Sequence, residues 1–264
     1  MSGAGAPIGL IAGSGRLPVL FAEAATRAGR SVVAVALEGE TDPAMPAAAW
    51  VKVGQLGRIA EVLRGAGCAE AVLCGGIKKP RLFDVRPDWL ALKVLARLRS
   101  FGDDAALRAI AAVLEEEGVR IVSPLPLVPD LLAARGPYGK RKLSEEQRAD
   151  ARTGLLAART LGAADIGQTV VVKRGVVLAV EAVEGTDACI ARGGALGKGA
   201  VVVKARKPQQ DERFDAPAVG PRTVEACAAA GCAALAIEAG ATLVLDRDEL
   251  AAAADRTGLA VEGI

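Results

Sequence analysis

The stretch "IGLIAGSGRLP" (residues 8–18) decides the fold of the first half of the chain. A short, uninterrupted apolar run is followed directly by Gly13-Ser14-Gly15, and then by a helical pattern over residues 17–28. A strand, a glycine-containing turn and a helix in this order form the beginning of a βαβ unit. Because the apolar run has no polar alternation, it is typical of a parallel strand that is buried on both faces.

The same alternation continues as far as residue 123. The apolar runs "SVVAVAL", "EAVLCGG" and "VRIVSP" are separated by helical patterns over residues 55–66, 86–100 and 103–117. Strands that alternate with helices predict a Rossmann-like parallel sheet covered on both faces. We therefore predict an N-terminal Rossmann-like domain over residues 1–133.

A second domain is predicted after a stretch rich in proline and glycine. Residues 134–144 are interpreted as the linker, with their basic run "KRK" as a solvated face, and Ser144 as the N-cap of the next helix. The segment "TVVVKRGVVLAVEA" predicts a hairpin that turns at "RG". Later strands and helices predict a mixed α/β domain over residues 145–264. The fold class is α/β, with two domains and a substrate cleft between them.

The composition excludes several classes of function. The chain of 264 residues is 52% hydrophobic and 24% charged, as in globular proteins, and its net charge of +2 gives no case for nucleic acid. No basic segment opens the chain, so no signal peptide is expected, and its five cysteines are interpreted as reduced cytosolic thiols. The chain has no histidine, which excludes Ser-His-Asp catalysis and histidine-ligated di-metal centres.

The glycine turn is a candidate phosphate site, because glycines allow backbone N–H groups to approach an anion at a helix N-terminus. The dinucleotide fingerprint requires a third glycine at position 18, where this chain has Pro18. Glu38 after the second predicted strand is suited to binding ribose hydroxyls. A nicotinamide-dependent oxidoreductase therefore stays open as an alternative.

Acidic residues stand where two further predicted helices begin, at Asp103-Asp104 and at Thr186-Asp187. Asp and Thr are preferred N-caps, so capping is the simpler interpretation. The functional interpretation is a magnesium site, since acidic side chains together with phosphate oxygens commonly hold Mg²⁺.

The loop "KARKPQQDERFDAPAVG" (residues 204–220) carries an unusual density of charge in an otherwise apolar chain. Lys204, Lys207 and Arg213 are suited to neutralising a diphosphate, and Asp215 to holding a metal or deprotonating a water. A solvated surface loop is the alternative. In the first half, the segment "RPDWLALKVLARLRSF" (residues 86–101) is amphipathic, and it is interpreted either as a core-facing helix or as a contact with anionic lipid.

Taken in order, "GLIAGSGRLP", "GDDAALR", "ADIGQTVVV", "VLAVEAVEGTDA", "KARKPQQDERFDAPAVG" and "TLVLDRDEL" resemble the LpxI-type UDP-2,3-diacylglucosamine pyrophosphatases over nearly the whole chain. The resemblance implies a two-domain hydrolase of lipid A synthesis, which uses Mg²⁺, or Mn²⁺, to cleave UDP-2,3-diacylglucosamine. The implied products are UMP and 2,3-diacylglucosamine 1-phosphate (lipid X). Asp215 falls at the family's essential aspartate, in "RFDAP".

The resemblance also implies the site residues and partners. Asp215 is assigned as catalytic, and the metal is assigned to Asp103, Asp187 and Asp215. The substrate is assigned to Gly13, Ser14, Gly15, Gly76, Asp104, Gln168, Thr186, Asp187, Lys204, Lys207, Gln209 and Arg213. We expect a cytoplasmic protein in peripheral contact with the inner membrane, no nucleic-acid partner, and leave a homodimer open. A non-catalytic nucleotide-lipid binding module is the third alternative.

Overall fold

The computed structural model describes residues 5–77, 87–98, 103–209, 211–214 and 216–264. The chain divides into two compact units. The N-terminal unit comprises Met1–Pro129 and Asp211–Asp215, and the C-terminal unit comprises Asp130–Gln210 and Ala216–Ile264. A short piece of the charged loop is therefore part of the N-terminal unit.

The N-terminal unit is built on a parallel sheet in the order β3-β2-β1-β4-β5. This confirms the predicted Rossmann-like sheet. Its strands are β1 (Gly5–Ala12), β2 (Arg30–Leu37), β3 (Ala49–Val51), β4 (Glu70–Cys74) and β5 (Arg120–Ile121). Its helices are α1 (Leu17–Arg27), α2 (Leu56–Gly65), α3 (Trp89–Arg97) and α4 (Asp103–Glu116).

Helix α2 lies very close to this sheet. Its apolar face carries Ile59 and Leu63, which are four residues apart and are both buried. A Cβ atom on Gly9 of β1 would lie 2.7 Å from the Leu63 side chain. Glycine at position 9 therefore makes room for α2 to pack directly on the strand.

The C-terminal unit contains a six-stranded mixed sheet in the order β6-β13-β11-β9-β7-β8. Strands β9, β11 and β13 are parallel, and β7 is antiparallel to both of its neighbours. The strands are β6 (Gly136–Pro137), β7 (Thr169–Lys173), β8 (Val176–Val180), β9 (Val201–Lys204), β11 (Ala234–Ile237) and β13 (Ala260–Gly263). The remaining elements are α5 (Glu145–Ala163), α6 (Thr186–Leu196), β10 (Ala218–Val219), α7 (Pro221–Ala229), β12 (Leu243–Val244) and α8 (Arg247–Thr257).

Helices α5 and α6 pack on opposite faces of this sheet, and each approaches it through a glycine. A Cβ atom on Gly154 of α5 would lie 2.4 Å from Val203 Cγ2, and one on Gly193 of α6 would lie 2.5 Å from Val171 Cβ. Both valines are fully buried. The mixed α/β architecture predicted for the second half is confirmed, with helices on both faces.

Local signals in the second half are also confirmed. Ser144 caps α5 in a capping box, accepting from Gln147 N at 3.2 Å while its own N–H donates to Gln147 Oε1. The β7–β8 hairpin turns at Arg174 and Gly175, both with positive φ, and their N–H groups donate to the Asp150 carboxylate. The segment predicted as a linker contributes strand β6, which pairs with β13.

The cysteines are free thiols buried in the two units. Burial raises the pKa of Cys189 to about 12, so this thiol stays protonated at neutral pH. In the part of the chain that the structure describes, no helix is both long and apolar enough to span a bilayer.

Candidate functional site

The glycine turn lies where β1 and β4 end, side by side, at the carboxyl edge of the first sheet. Gly13 N donates to Cys74 O at 2.7 Å, and Ser14 N donates to Gly76 O at 2.8 Å. The Ser14 hydroxyl donates to the same Gly76 oxygen at 2.9 Å. The structure therefore brings together four of the residues predicted to contact substrate: Gly13, Ser14, Gly15 and Gly76.

Glycine is required at this turn for two reasons. A Cβ atom on Gly13 would lie 2.5 Å from Gly76 O, which backbone atoms cannot accommodate. Gly15 has φ +91°, a conformation that side chains disfavour.

The glycine turn also lies at the usual ligand position of such folds. The neighbours of β1 in the sheet are β2 on one side and β4 on the other, so the turn lies at the topological switch point of the sheet. The first turn of α1 adds backbone N–H groups that have no helical acceptor.

A chain of hydrogen bonds joins three polar side chains in the C-terminal unit. The ammonium of Lys204, at the carboxyl end of β9, donates to Thr186 Oγ1 at 3.0 Å. The Thr186 hydroxyl donates to Glu181 Oε1 at 2.8 Å. Lys204 and Glu181 are 7% and 8% exposed, so both charged groups lie almost wholly inside the protein. We call these three residues the Lys–Thr–Glu cluster.

Two buried side-chain oxygens lie without a hydrogen-bond partner among the residues that the structure describes. They are Glu181 Oε2 and Gln168 Oε1. Gln168 itself is tied to the loop after β9, because its backbone oxygen accepts from Ala205 N at 3.0 Å. A buried polar atom without a partner costs free energy, of order 1–3 kcal/mol, unless a water, ion or ligand satisfies it. These oxygens therefore mark a place for a water, a cation or a hydrogen-bond donor of a ligand.

Thr186 and Asp187 open helix α6, as the sequence predicts. The N-cap residue is Gly185, with φ +84°, and no side chain forms the cap. Thr186 therefore uses its hydroxyl for the Lys–Thr–Glu cluster and not for capping, so the simpler capping interpretation is wrong for this residue. Asp187 is exposed in the first turn, where the helix dipole favours its negative charge.

Glu181 is the residue of this cluster that the sequence analysis did not assign. The signal was present, since Glu181 is a charged residue directly after the apolar strand "VVLAV" and five residues before Thr186. A carboxylate at the end of an apolar strand, followed by a glycine turn and a helix, is a position from which a side chain can reach a helix N-terminus.

Lys207 and Gln209 are engaged by the end of helix α5. Lys207 Nζ pairs with Asp165 Oδ1 at 2.7 Å, and Gln209 Nε2 donates to Gly162 O at 2.5 Å. These contacts satisfy the helix end and hold the beginning of the charged loop against it. Their assignment to substrate stays a prediction.

Arg213 belongs to the N-terminal unit, where it is held by carboxylates. Its guanidinium donates to Asp211 at 2.9 and 3.0 Å and pairs with Glu115 at 3.5 Å. Hydrogen bonding from Arg213 lowers the pKa of Asp211, so this carboxylate is ionised at neutral pH. Arg213 also lies over the Phe214 ring at 4.7 Å, and that ring packs against the core of the unit.

Asp215, the predicted catalytic residue, lies outside the described residues, although Phe214 before it is anchored. Asp103 and Asp104 open helix α4 as expected, and their side chains also lie outside the described part. Among the residues that the structure describes, no three or more His, Cys, Asp or Glu side chains come close enough to hold a metal ion. The assignment of a metal to Asp103, Asp187 and Asp215 stays a prediction.

The fold defines a two-domain α/β protein, with a glycine turn at the switch point of the first sheet and a buried Lys–Thr–Glu cluster in the C-terminal unit. The LpxI N-terminal domain family matches residues 7–131, and the LpxI C-terminal domain family matches residues 134–262. The chain is also 39% identical over 271 residues to the UDP-2,3-diacylglucosamine pyrophosphatase LpxI of Caulobacter vibrioides, which covers 97% of each chain. This chain belongs to the LpxI family.

Proposed function

We propose that this protein hydrolyses the pyrophosphate bond of UDP-2,3-diacylglucosamine, giving UMP and 2,3-diacylglucosamine 1-phosphate. The observation that carries the proposal is the 39% identity to the Caulobacter vibrioides pyrophosphatase over 97% of both chains. This similarity supports a shared activity and not only a shared fold, because the aligned region extends through both domains.

The buried ammonium of Lys204 supports this reaction. A pyrophosphate carries negative charge on both phosphorus centres, and hydrolysis requires that charge to be neutralised while water attacks in line. Lys204 is oriented by Thr186, so its charge is held in a fixed position before substrate arrives. The glycine turn of the N-terminal unit supplies a second place where backbone N–H groups suit a phosphate oxygen.

Asp215 is proposed to bind the metal or to orient the attacking water. Its support is the family motif "RFDAP" and the anchoring of the preceding residues, since Arg213 is paired and Phe214 is packed in the N-terminal unit. Pro217 restricts the backbone of the residue before it and so stiffens the loop.

Magnesium dependence is the first part of the proposal to test. With UDP-2,3-diacylglucosamine and Mg²⁺, the purified protein is expected to release UMP, and EDTA is expected to lower the rate by at least about 100-fold. Adding Mg²⁺ or Mn²⁺ in excess over EDTA should restore it. The measurement is UMP release by chromatography.

The control for this assay is a circular dichroism spectrum in EDTA. The spectrum should be unchanged, which shows that a lower rate does not come from unfolding. UMP release that continues unaltered in EDTA would contradict the metal proposal while preserving the hydrolase. No UMP release with any divalent metal would overturn the hydrolase itself, and would leave the non-catalytic binding module.

Helix α3 supports the proposed contact with a membrane. Its buried face confirms the predicted core-facing helix, with Leu90, Ala91 and Val94 inside. Its opposite face carries a second apolar stripe with large exposure, at Trp89 (71%), Leu92 (46%) and Leu95 (52%). Tryptophan and leucine at this spacing on a helix suit the lipid interface. We propose that this stripe rests on the cytoplasmic face of the inner membrane, where a diacylated substrate resides.

Replacing Trp89, Leu92 and Leu95 with serine is therefore expected to reduce sedimentation with anionic liposomes by at least about fivefold. The reason is the loss of the large apolar side chains that α3 exposes along this stripe, while its buried face is unchanged. A triple serine variant at the exposed residues Leu156, Ile166 and Val183 of the C-terminal unit is the matched control. Equal sedimentation of all three proteins would contradict the membrane contact.

The oxidoreductase alternative finds less support. Pro18, at the position of the third fingerprint glycine, is buried in the first turn of α1. A side chain there occupies the space that the fingerprint leaves for a close helix–strand approach. Glu38 is exposed just beyond β2, as the alternative requires, and tight binding of NAD(P) by the purified protein would restore it.

A further inference from the structure

A cavity of about 440 Å³ opens on the C-terminal unit at the carboxyl ends of β11 and β13, beside helix α5. This volume is within the range of small-molecule sites, which is about 300–1,000 Å³. Its lining does not include any member of the Lys–Thr–Glu cluster. The charged residues that line it are Arg135, Arg148, Arg152, Arg159, Glu238 and Glu262.

Three of these arginines come from one face of α5. Arg148, Arg152 and Arg159 are separated by four and seven residues, which places them in line along the helix. Arg135 approaches from the segment just before strand β6. The pocket is therefore a convergence of cationic side chains from two parts of the chain.

Two of the arginines are neutralised within the pocket. Arg148 makes a fork to the buried Glu262 carboxylate, with N–O distances of 2.5 and 3.0 Å. Arg159 donates to Glu238 at 2.6 Å. The other oxygen of Glu238 accepts from Arg206 N at 2.7 Å, which links the pocket to the loop that follows Lys204.

The other two arginines have no such partner. Among the residues that the structure describes, no carboxylate lies within ion-pair distance of Arg135 or Arg152, and both side chains are exposed at the cavity. The side chains that line this concave site include four guanidinium groups and two carboxylates, so its cationic side chains outnumber its acidic ones. Guanidinium groups bind phosphate oxygens in paired hydrogen bonds.

We propose that this cavity is a second binding site, which takes a phosphate group through Arg135 and Arg152. Arg148 and Arg159 are held in place by their glutamates and form the fixed walls of the site. The ligand is either a free phosphate or phosphomonoester, or the phosphate of an anionic lipid headgroup. The proposal does not depend on the hydrolase activity, because it rests on the charges and geometry of the C-terminal unit alone.

The test compares the full-length protein with the double variant R135A/R152A. Calorimetric titration with inorganic phosphate forms one arm, and sedimentation with phosphatidylglycerol vesicles against phosphatidylcholine vesicles forms the other. The double variant is expected to bind at least about tenfold more weakly in one of the two arms. Both replaced side chains are exposed, so its melting temperature should match that of the wild type.

Two controls separate this site from others. The variant R222A/R256A removes two exposed arginines elsewhere in the same unit, and it should bind as the wild type does. In a Lys204→Met background, R135A/R152A should still weaken binding, which distinguishes this site from the proposed catalytic site. Weakening in the solution arm identifies a free phosphate ligand, and weakening in the vesicle arm identifies a headgroup. Equal binding by R135A/R152A and the wild type in both arms would overturn the proposal.

Discussion

Asp215→Ala is expected to lower kcat for UDP-2,3-diacylglucosamine hydrolysis by about 10²- to 10⁴-fold. A carboxylate that orients the attacking water or holds the metal acts mainly in the transition state, so its removal lowers kcat more than it changes binding. Binding of substrate should survive, because the Lys204 ammonium and the glycine turn are retained. Loss of a negative charge also reduces repulsion with the phosphates. The measurement is steady-state UMP release, with substrate affinity determined separately.

The controls for this prediction distinguish a catalytic carboxylate from a structural one. Glu225→Ala removes an exposed carboxylate that pairs with Arg256 at 3.2 Å, and it should leave kcat unchanged. Asp187→Ala tests whether Asp187 has a catalytic role or only interacts favourably with the helix dipole. In the second case, the substitution should lower the free energy of unfolding by about 1 kcal/mol or less. An Asp215→Ala protein that is folded and hydrolyses substrate at a near wild-type rate would refute the assignment.

Lys204→Met is expected to reduce kcat/KM by about 10²- to 10³-fold. Methionine keeps much of the buried apolar stem, whereas the charge that Thr186 orients is lost. Because Lys204 is buried, water cannot efficiently replace its ammonium next to a phosphate. Affinity for UMP and the kinetic constants for the full substrate are the measurements, together with a melting curve.

Two comparison variants sharpen this result. Lys140→Met removes an exposed lysine whose nearest carboxylate oxygen, on Asp255, is 3.9 Å away, and it should leave kcat/KM unchanged. Thr186→Val keeps the charge of Lys204 and removes the hydroxyl that orients it, so a smaller loss of roughly tenfold is expected. If Lys204→Met folds and keeps the wild-type kcat/KM, the buried ammonium is structural only.

Much of the local structure follows from the sequence alone. The unbroken apolar runs predict parallel strands, and the first sheet contains them in the expected Rossmann-like arrangement. Ser144 predicts the beginning of α5, and "RG" at 174–175 predicts the hairpin, because capping and turn preferences act between residues close in the chain. The binding cleft expected between the domains, and the homodimer left open, stay predictions.

The tertiary structure alone decides which charges meet. The charged loop reads as one cluster of cations, but Lys204 turns into the C-terminal unit towards Thr186, while Arg213 is paired with Asp211 in the N-terminal unit. The sequence pattern did not reveal the exposed apolar stripe on α3. That helix is apolar on two faces, and its periodicity indicates only the face that packs against the core.

The sequence by itself determined the secondary-structure elements and the family. Since the chain has no histidine, it also determined which residue types are available for catalysis. What required the fold was the Lys–Thr–Glu cluster and the arginine-lined cavity. Lys204 and Thr186 are 18 residues apart, and Arg148 and Glu262 are 114 apart. Local preferences act over a few residues, whereas these pairs form only when strand order brings the ends of β9, β11 and β13 beside the helices that pack on them.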